Sequence, residues 1–298
     1  MVGGRKGQEG MDKMRLVIGL PWYAGPDETT FPFYFSLMNY FGAMRERSLW
    51  YKQVGKEAFA DAALPPLDET QGDDGRAELP LDEWEAISPL ELVLCNYSRT
   101  SLVGKAREHI VETALGVDAD YIFWWDSDML FDYSAFVRLW RHQVPVVGGL
   151  AFTARHPIFP VIYRINEIEV PGNRGFESSE PVFDYPGNAL ITNEDVSGEL
   201  AFGAAMMLTD VKVFREIPLP WFASTGCGED WFFCHRCMEY GIPRYLDTSI
   251  KSQHKEHSPR WADEETYWQS REMMHDAYEL NFPGLVKPFS NGKSMETA

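Results

Sequence analysis

Tyr121-Ile122-Phe123-Trp124-Trp125-Asp126-Ser127-Asp128 decides the fold: five bulky apolar residues stop abruptly at two carboxylates one residue apart. The run is too short for a helix and rich in β-forming residues, so it reads as a buried strand. In a sheet covered on both faces, the carboxyl ends of such strands open into the crevice where ligands bind. Asp126 and Asp128 stand at that end. Two acids on an apolar strand tip are costly unless a cation or donor groups compensate them. A divalent metal is the simplest compensation, and a metal held by few carboxylates commonly shares a phosphate-bearing substrate. The competing reading makes the two aspartates caps of a following helix.

The flanking pattern alternates. Upstream, Met14–Leu20 reads as a first strand, residues 33–53 as a helix with an aromatic core stripe, Leu90–Asn96 as a strand, and residues 102–115 as an amphipathic helix. Downstream, residues 133–143 read as a helix, 144–152 and 160–165 as strands, and 166–193 as a turn-rich loop or surface insertion. The small-residue run Leu200–Leu208 reads as one buried strand, residues 210–217 as a short helix, and 228–240 as a helix closed by Gly241. Residues 244–252 form the expected last strand, and 263–280 a tail helix. Strands and helices in alternation predict an α/β fold with a mixed, mainly parallel sheet flanked by helices.

The chain has 298 residues, with 45% hydrophobic and 14% aromatic content, enough for one large α/β domain. Residues 14–282 are expected to form it, with 1–13 a disordered tail, 283–298 an irregular one, and 55–88 an acidic surface insertion. A net charge of −18 disfavours bulk binding to nucleic acid or an anionic membrane, though a modified nucleic-acid base as a substrate is compatible with it. No apolar run approaches the ~20 residues that span a bilayer, and the polar opening offers no signal segment. Four cysteines do not make a disulfide framework, so a cytoplasmic setting is expected.

Candidate chemistry lies at a few further places. Arg99, Lys105 and Arg107 put positive charge near the start of one helix, an anion site or ordinary surface cations. A metal at Asp126 and Asp128 wants a third ligand, for which His254, or His257 as its substitute, follows the last strand. Glu229 and Asp230 open a helix, where acids are favoured by the dipole but where Asp230, beside Gly226 and Gly228, is also placed to act as a base. Cys234-x-x-Cys237, with His235 and Cys227 nearby, raises a zinc or redox site; the pair falls inside an amphipathic helix and lacks a second pair.

The order of these pieces resembles a GT-A type glycosyltransferase of the nucleotide-sugar-dependent, family 2-like kind, over about Met14 to His257. The matching pieces are Arg15–Leu20, residues 98–115, Asp126-Ser127-Asp128, Val147-Gly148-Gly149, Gly203–Met207, Gly228-Glu229-Asp230 and Asp247–His254. The resemblance implies a GT-A-like, Rossmann-type sheet and an NDP-sugar donor, UDP- or GDP-linked, with an acceptor left open. It implies Mn2+ or Mg2+ on Asp126, Asp128 and His254, and Asp230 as base with Glu229 beside it. It places Pro21, Tyr23, Ser98, Arg107, Asp126, Ser127 and Gly149 around the nucleotide sugar. The family frequently carries Asn where this chain has Glu108. Two rivals share such a core: a sugar nucleotidyltransferase and a non-catalytic nucleotide or sugar binder. The first usually has a basic, Gly-rich loop after its first strand, whereas residues 21–30 here hold one glycine and no lysine or arginine.

Overall fold

The computed structural model describes residues 13–22, 30–62, 79–97, 102–155, 157–170, 173–223, 228–255 and 261–273. The first half runs β1 (Met14–Leu20), α1 (Phe31–Ala60), α2 (Leu81–Ile87), β2 (Leu90–Asn96), α3 (Val103–Gly116) and β3 (Tyr121–Trp125). It continues through β4 (Met129–Phe131), α4 (Ala135–Arg141), β5 (Val146–Leu150), β6 (Ile162–Val170) and β7 (Asn173–Pro181). Then come β8 (Leu190–Ile191), α5 (Asn193–Val196), β9 (Glu199–Phe202), β10 (Met206–Asp210) and α6 (Val213–Glu216). The last elements are α7 (Glu229–Glu239), β11 (Tyr245–Lys255), β12 (Trp261–Ala262) and α8 (Glu264–Met273).

The main sheet has the order β12-β11-β5-β10-β3-β1-β2, with β4 and β8 also paired to β11. β2, β1, β3, β5 and β11 point one way; β10 runs against its neighbours β3 and β5. The protein is thus a mixed α/β structure with a mainly parallel central sheet flanked by helices. Alternation along β3 explains why it is apolar throughout. Ile122 and Trp124 face Ile110, Val111 and Ala114 of α3, while Phe123 and Trp125 face Leu37 and Phe41 of α1 and Phe136 of α4. Among the described residues no helix is long and apolar enough to cross a membrane.

Four expectations need correction. The turn-rich stretch after Ile165 carries the expected strand on to Val170 as β6 and then holds an unexpected antiparallel partner, β7, and the two join β9 in a separate three-stranded sheet. Beyond Ile165 the sequence is too polar to announce strands, and the Pro-Gly punctuation at 171 and 172, itself outside the described residues, reads as loop. Leu200–Leu208 is not one strand: β9 belongs to the small sheet and β10 to the main one. Gly203-Ala204-Ala205 carry the chain between them. The last strand runs on to Lys255, so His254 lies within it, paired across to Met129 of β4. Finally, α1 carries on past the expected end to Ala60, broken at Gly55, whose φ of 80° only glycine adopts without strain. Of the expected acidic insertion, residues 63–78 lie outside the described residues, as do the tails 1–12 and 283–298 and the tail helix beyond Met273.

Candidate functional site

The site is built where β3 stops. Asp126 follows Trp125 directly, and its backbone N–H donates to the Ala205 carbonyl (3.1 Å), which fixes it beside the crossing from β9 to β10. Its carboxylate takes one nitrogen of Arg107 on both oxygens, Nη2 to Oδ1 at 3.0 Å and to Oδ2 at 2.9 Å. Arg107, in the second turn of α3, is 1% exposed. Its Nε donates to Glu229 Oε1 (3.3 Å) and its Nη1 to the Ala204 carbonyl (3.4 Å). Its guanidinium also lies 5.5 Å from the Trp124 ring centre and 6.0 Å from that of Phe222. One buried cation therefore joins the end of β3 to the start of α7.

Burial would lower the Arg107 pKa, but Asp126, Glu229 and Asp230 outweigh it and hold the charge in place. Asp126 moves up to about 6, because burial, with help from Asp128 and Glu229, outweighs Arg107. With both oxygens on Arg107 and with strand β4 rather than a helix after it, Asp126 caps nothing. Asp128 lies in the next turn, half exposed. Its Oδ2 stands 3.2 Å from His254 Nε2. The other ring nitrogen of His254, Nδ1, is 2.7 Å from the Phe152 carbonyl, so it carries a proton and donates it. Burial raises the Asp128 pKa, but the His254 contact, a backbone hydrogen bond and the Arg107 charge together lower it below the ordinary value. Burial would lower that of His254, but the Asp128 contact raises it. Each aspartate of the motif thus has a nitrogen-bearing partner within the chain, Arg107 for Asp126 and His254 for Asp128.

Across the cluster, Glu229 and Asp230 form the first turn of α7. Asp230 is pushed up to about 6 by burial and then by Glu229, against the Trp231 N–H that donates to its Oδ1 (2.8 Å). Gly228 has φ 97°, and a Cβ there would lie 2.8 Å from Asp230 Oδ1. A Cβ on Gly203 would lie 3.6 Å from Asp230 Oδ2. The small residues at 203 and 228 are thus the room in which this carboxylate sits. Tyr163 of β6 faces it: burial and the Asp230 charge push its hydroxyl up to about 12.

Asp126, Arg107, Glu229 and Asp230 are therefore gathered in one place, with Asp128 and His254 paired beside them. Ser127 is half-buried in the turn between β3 and β4. Pro21 ends β1 next to Trp22, which the sequence reading missed; its Nε1 donates to the Trp125 carbonyl (3.0 Å). An aromatic directly after a strand-ending proline was the available signal. Gly149 is buried in β5, where a Cβ would collide with Met206 Cε and lie 3.0 Å from the Ile250 carbonyl oxygen, so its smallness serves the sheet's packing. Tyr23, Ser98, Arg99, Gly226, Cys227 and His257 lie outside the described residues. Cys234 and Cys237 are buried free thiols in α7. Burial pushes Cys234 up to about 11 and Cys237 higher still, which keeps both neutral core residues rather than thiolate ligands. Among the described residues no group of three or more His, Cys, Asp or Glu side chains is gathered as a metal cage.

No protein-family model matches the chain, and no curated protein sequence matches it. Among solved structures it is similar to A197 from STIV at 18% identity and a TM-score of 0.37, over 55% of this chain and 72% of that one. It is similar to apo UDP-glucose pyrophosphorylase at 10% identity and a TM-score of 0.37, over 89% of this chain and 99% of that one. It is similar to GalNAc-T7 with UDP, GalNAc and Mn2+ at 13% identity and a TM-score of 0.35, over 71% of this chain and 42% of that one. Likeness at this level leaves the chemistry to the side chains.

Proposed function

We propose that the chain is a GT-A-like glycosyltransferase that moves a sugar from a nucleoside-diphosphate donor to an acceptor hydroxyl with the help of Mn2+ or Mg2+. One observation supports this most. Arg107 ties a carboxylate from the β3 end to one from the α7 start, residues 126 and 229, bringing the two acidic motifs to one crevice.

The residues present fit a divalent cation in part. Asp128 supplies the hard carboxylate oxygen such ions prefer. His254, with Nδ1 committed to the Phe152 carbonyl, presents Nε2 on the Asp128 side, the arrangement that orients ligating histidines. Asp126 is turned to Arg107, so Asp128 and His254 are the pair that would hold the ion, with Asp126 setting the charge beside them. A cation held there would supply the positive charge that offsets the charge building on a departing diphosphate.

The chain's own part is positional and acid–base. Asp230, titrating near 6, is ionised at neutral pH yet basic enough to accept the proton of an acceptor hydroxyl. The hydroxyl oxygen forms its bond to the anomeric carbon as the bond from that carbon to the diphosphate breaks, and the proton ends on Asp230. Glu229, held by Arg107, fixes the turn from which Asp230 projects.

The test is a thermal-shift series with nucleotides and NDP-sugars, with and without Mn2+, followed by turnover. A ligand shifts unfolding only by binding the folded state. A diphosphate-specific, Mn2+-dependent shift is expected in the wild type and should vanish in Asp128→Ala, together with turnover. An undiminished shift in Asp128→Ala under chelator, or no response of the wild type to any nucleotide, overturns the reading.

A further inference from the structure

Glu108 neighbours Arg107 on α3 but takes no part in the buried ion cluster. Its Oε1 accepts instead from two consecutive backbone N–H groups, those of Trp221 (2.6 Å) and Phe222 (2.5 Å). These two residues lie between α6 and α7. One turn earlier on α3, Gly104 lies against the same stretch: a Cβ there would be 3.3 Å from the Phe222 carbonyl oxygen and 3.3 Å from Glu229 Cβ. The Phe222 ring stacks on Phe233 of α7 at 4.8 Å and meets Trp124 of β3 edge-on at 5.3 Å. α3 therefore holds Trp221 and Phe222 through Glu108, and Glu229 in the first turn of α7 through Arg107, while the Phe222 ring stacked on Phe233 joins the two places.

A backbone turn at the surface can satisfy its N–H groups with water. Here a half-buried carboxylate does so, although burial raises its pKa against the opposing pull of the two N–H groups. That is a costly way to satisfy two donors unless the position of the stretch matters. We infer that Glu108 is a positioning residue: by drawing Trp221 and Phe222 onto α3 it sets where the first turn of α7, and with it Asp230, stands relative to the end of β3. Its catalytic meaning rests on the reading of Asp230 as the base.

Amide hydrogen exchange on the full chain tests the placement without any substrate. The probes are the amides of Trp221, Phe222 and Phe232, the last of which donates to the Gly228 carbonyl (3.2 Å) in the first turn of α7. In Glu108→Leu all three should exchange about tenfold faster or more, with Ile122 in β3 unchanged. Glu108→Gln keeps Oε1 as an acceptor and should stay near the wild type. With an NDP-sugar, Glu108→Leu should lower kcat about tenfold at unchanged donor KM, and Glu108→Gln should restore it. Unchanged exchange at Phe232 in Glu108→Leu, or equal kcat loss in the two variants, overturns the inference. If Glu108→Leu prevents folding, Gly104→Ala presses on the same stretch and must speed exchange at Phe232; no change there overturns it equally. A wild type inert to every nucleotide sugar would sink the transferase reading, while the exchange measurements still decide the placement.

Discussion

The turn after β3 and the first turn of α7 each carry two acids, and Arg107 takes one from each. Asp126 and Glu229 go to the guanidinium; Asp128 and Asp230 remain on either side of it. The two that remain then diverge. Asp128 is half exposed, and its partner His254 helps to drive its pKa down, so it is a standing anion. Asp230 is enclosed beside Glu229 and Tyr163, and its pKa rises to about 6, so it exchanges a proton near neutral pH. Similar residues, separated by their surroundings, are shifted in opposite directions; under the proposed function the first holds charge and the second takes a proton.

The comparison breaks most severely at Arg107. Arg107→Leu strands Asp126 and Glu229 without their cation, and losing one partner of a buried ion cluster costs about 3–5 kcal/mol. Urea unfolding of that variant should show a loss of this size. Adding Asp126→Asn and Glu229→Gln, which removes the stranded charges, should recover most of it. Arg107→Lys should fall between, because an ammonium cannot reach both sides as a planar guanidinium does. A single Arg107→Leu variant as stable as the wild type would mean that the two acidic turns are held together by something other than this cation.

A smaller effect separates packing from ligand contact. Gly149→Ala would press a methyl group on Met206 Cε and the Ile250 carbonyl. The methionine end can move and the carbonyl cannot, so a cost of about 1–3 kcal/mol is expected in urea unfolding. The donor KM should stay at the wild-type value. A raised KM at unchanged stability would instead return Gly149 to the nucleotide sugar.

How much of this is legible in the sequence follows from what kind of signal each part carries. β3 announces itself because both its faces are buried, and Asp126 and Asp128 because charge interrupts that burial. The start of α7 is marked by Gly228 before two acids. β11 reads short because its last residues alternate, Lys251 and Gln253 exposed with Ser252 buried, and a polar alternation lacks the apolar run by which strands are recognised. That hides β4 too, which pairs with it, and so the strand position of His254. β9 and β10 merge into one because both are buried; only the sheets they join distinguish them. The resemblance brings these residues to one site, but the ion pairs of Arg107 themselves cannot be read from the residues, since they join side chains 19 and 122 positions apart and depend on α3, β3 and α7 meeting.

The finest test of the comparison is the sign of its pH dependence. In the folded chain Asp230 keeps its proton up to about pH 6, whereas in the unfolded chain it ionises near the ordinary aspartate value. Between those two values the folded state binds more protons, so this group's contribution to stability falls as pH rises and is level above the folded value. Asparagine mimics the protonated form. Asp230→Asn should therefore be more stable than the wild type above pH ~6, by about 1–3 kcal/mol, and the gap should close as pH falls toward ~4. Turnover should be lost in the same variant. Asp128 has the opposite shift, so its contribution is present above the ordinary aspartate value and is lost as pH falls through the lowered one. Asp128→Asn should accordingly be the less stable protein at neutral pH. Urea unfolding of both variants across that range reads the two signs directly. If they agree, the two acids share one environment, and the division between a standing anion and a proton acceptor fails.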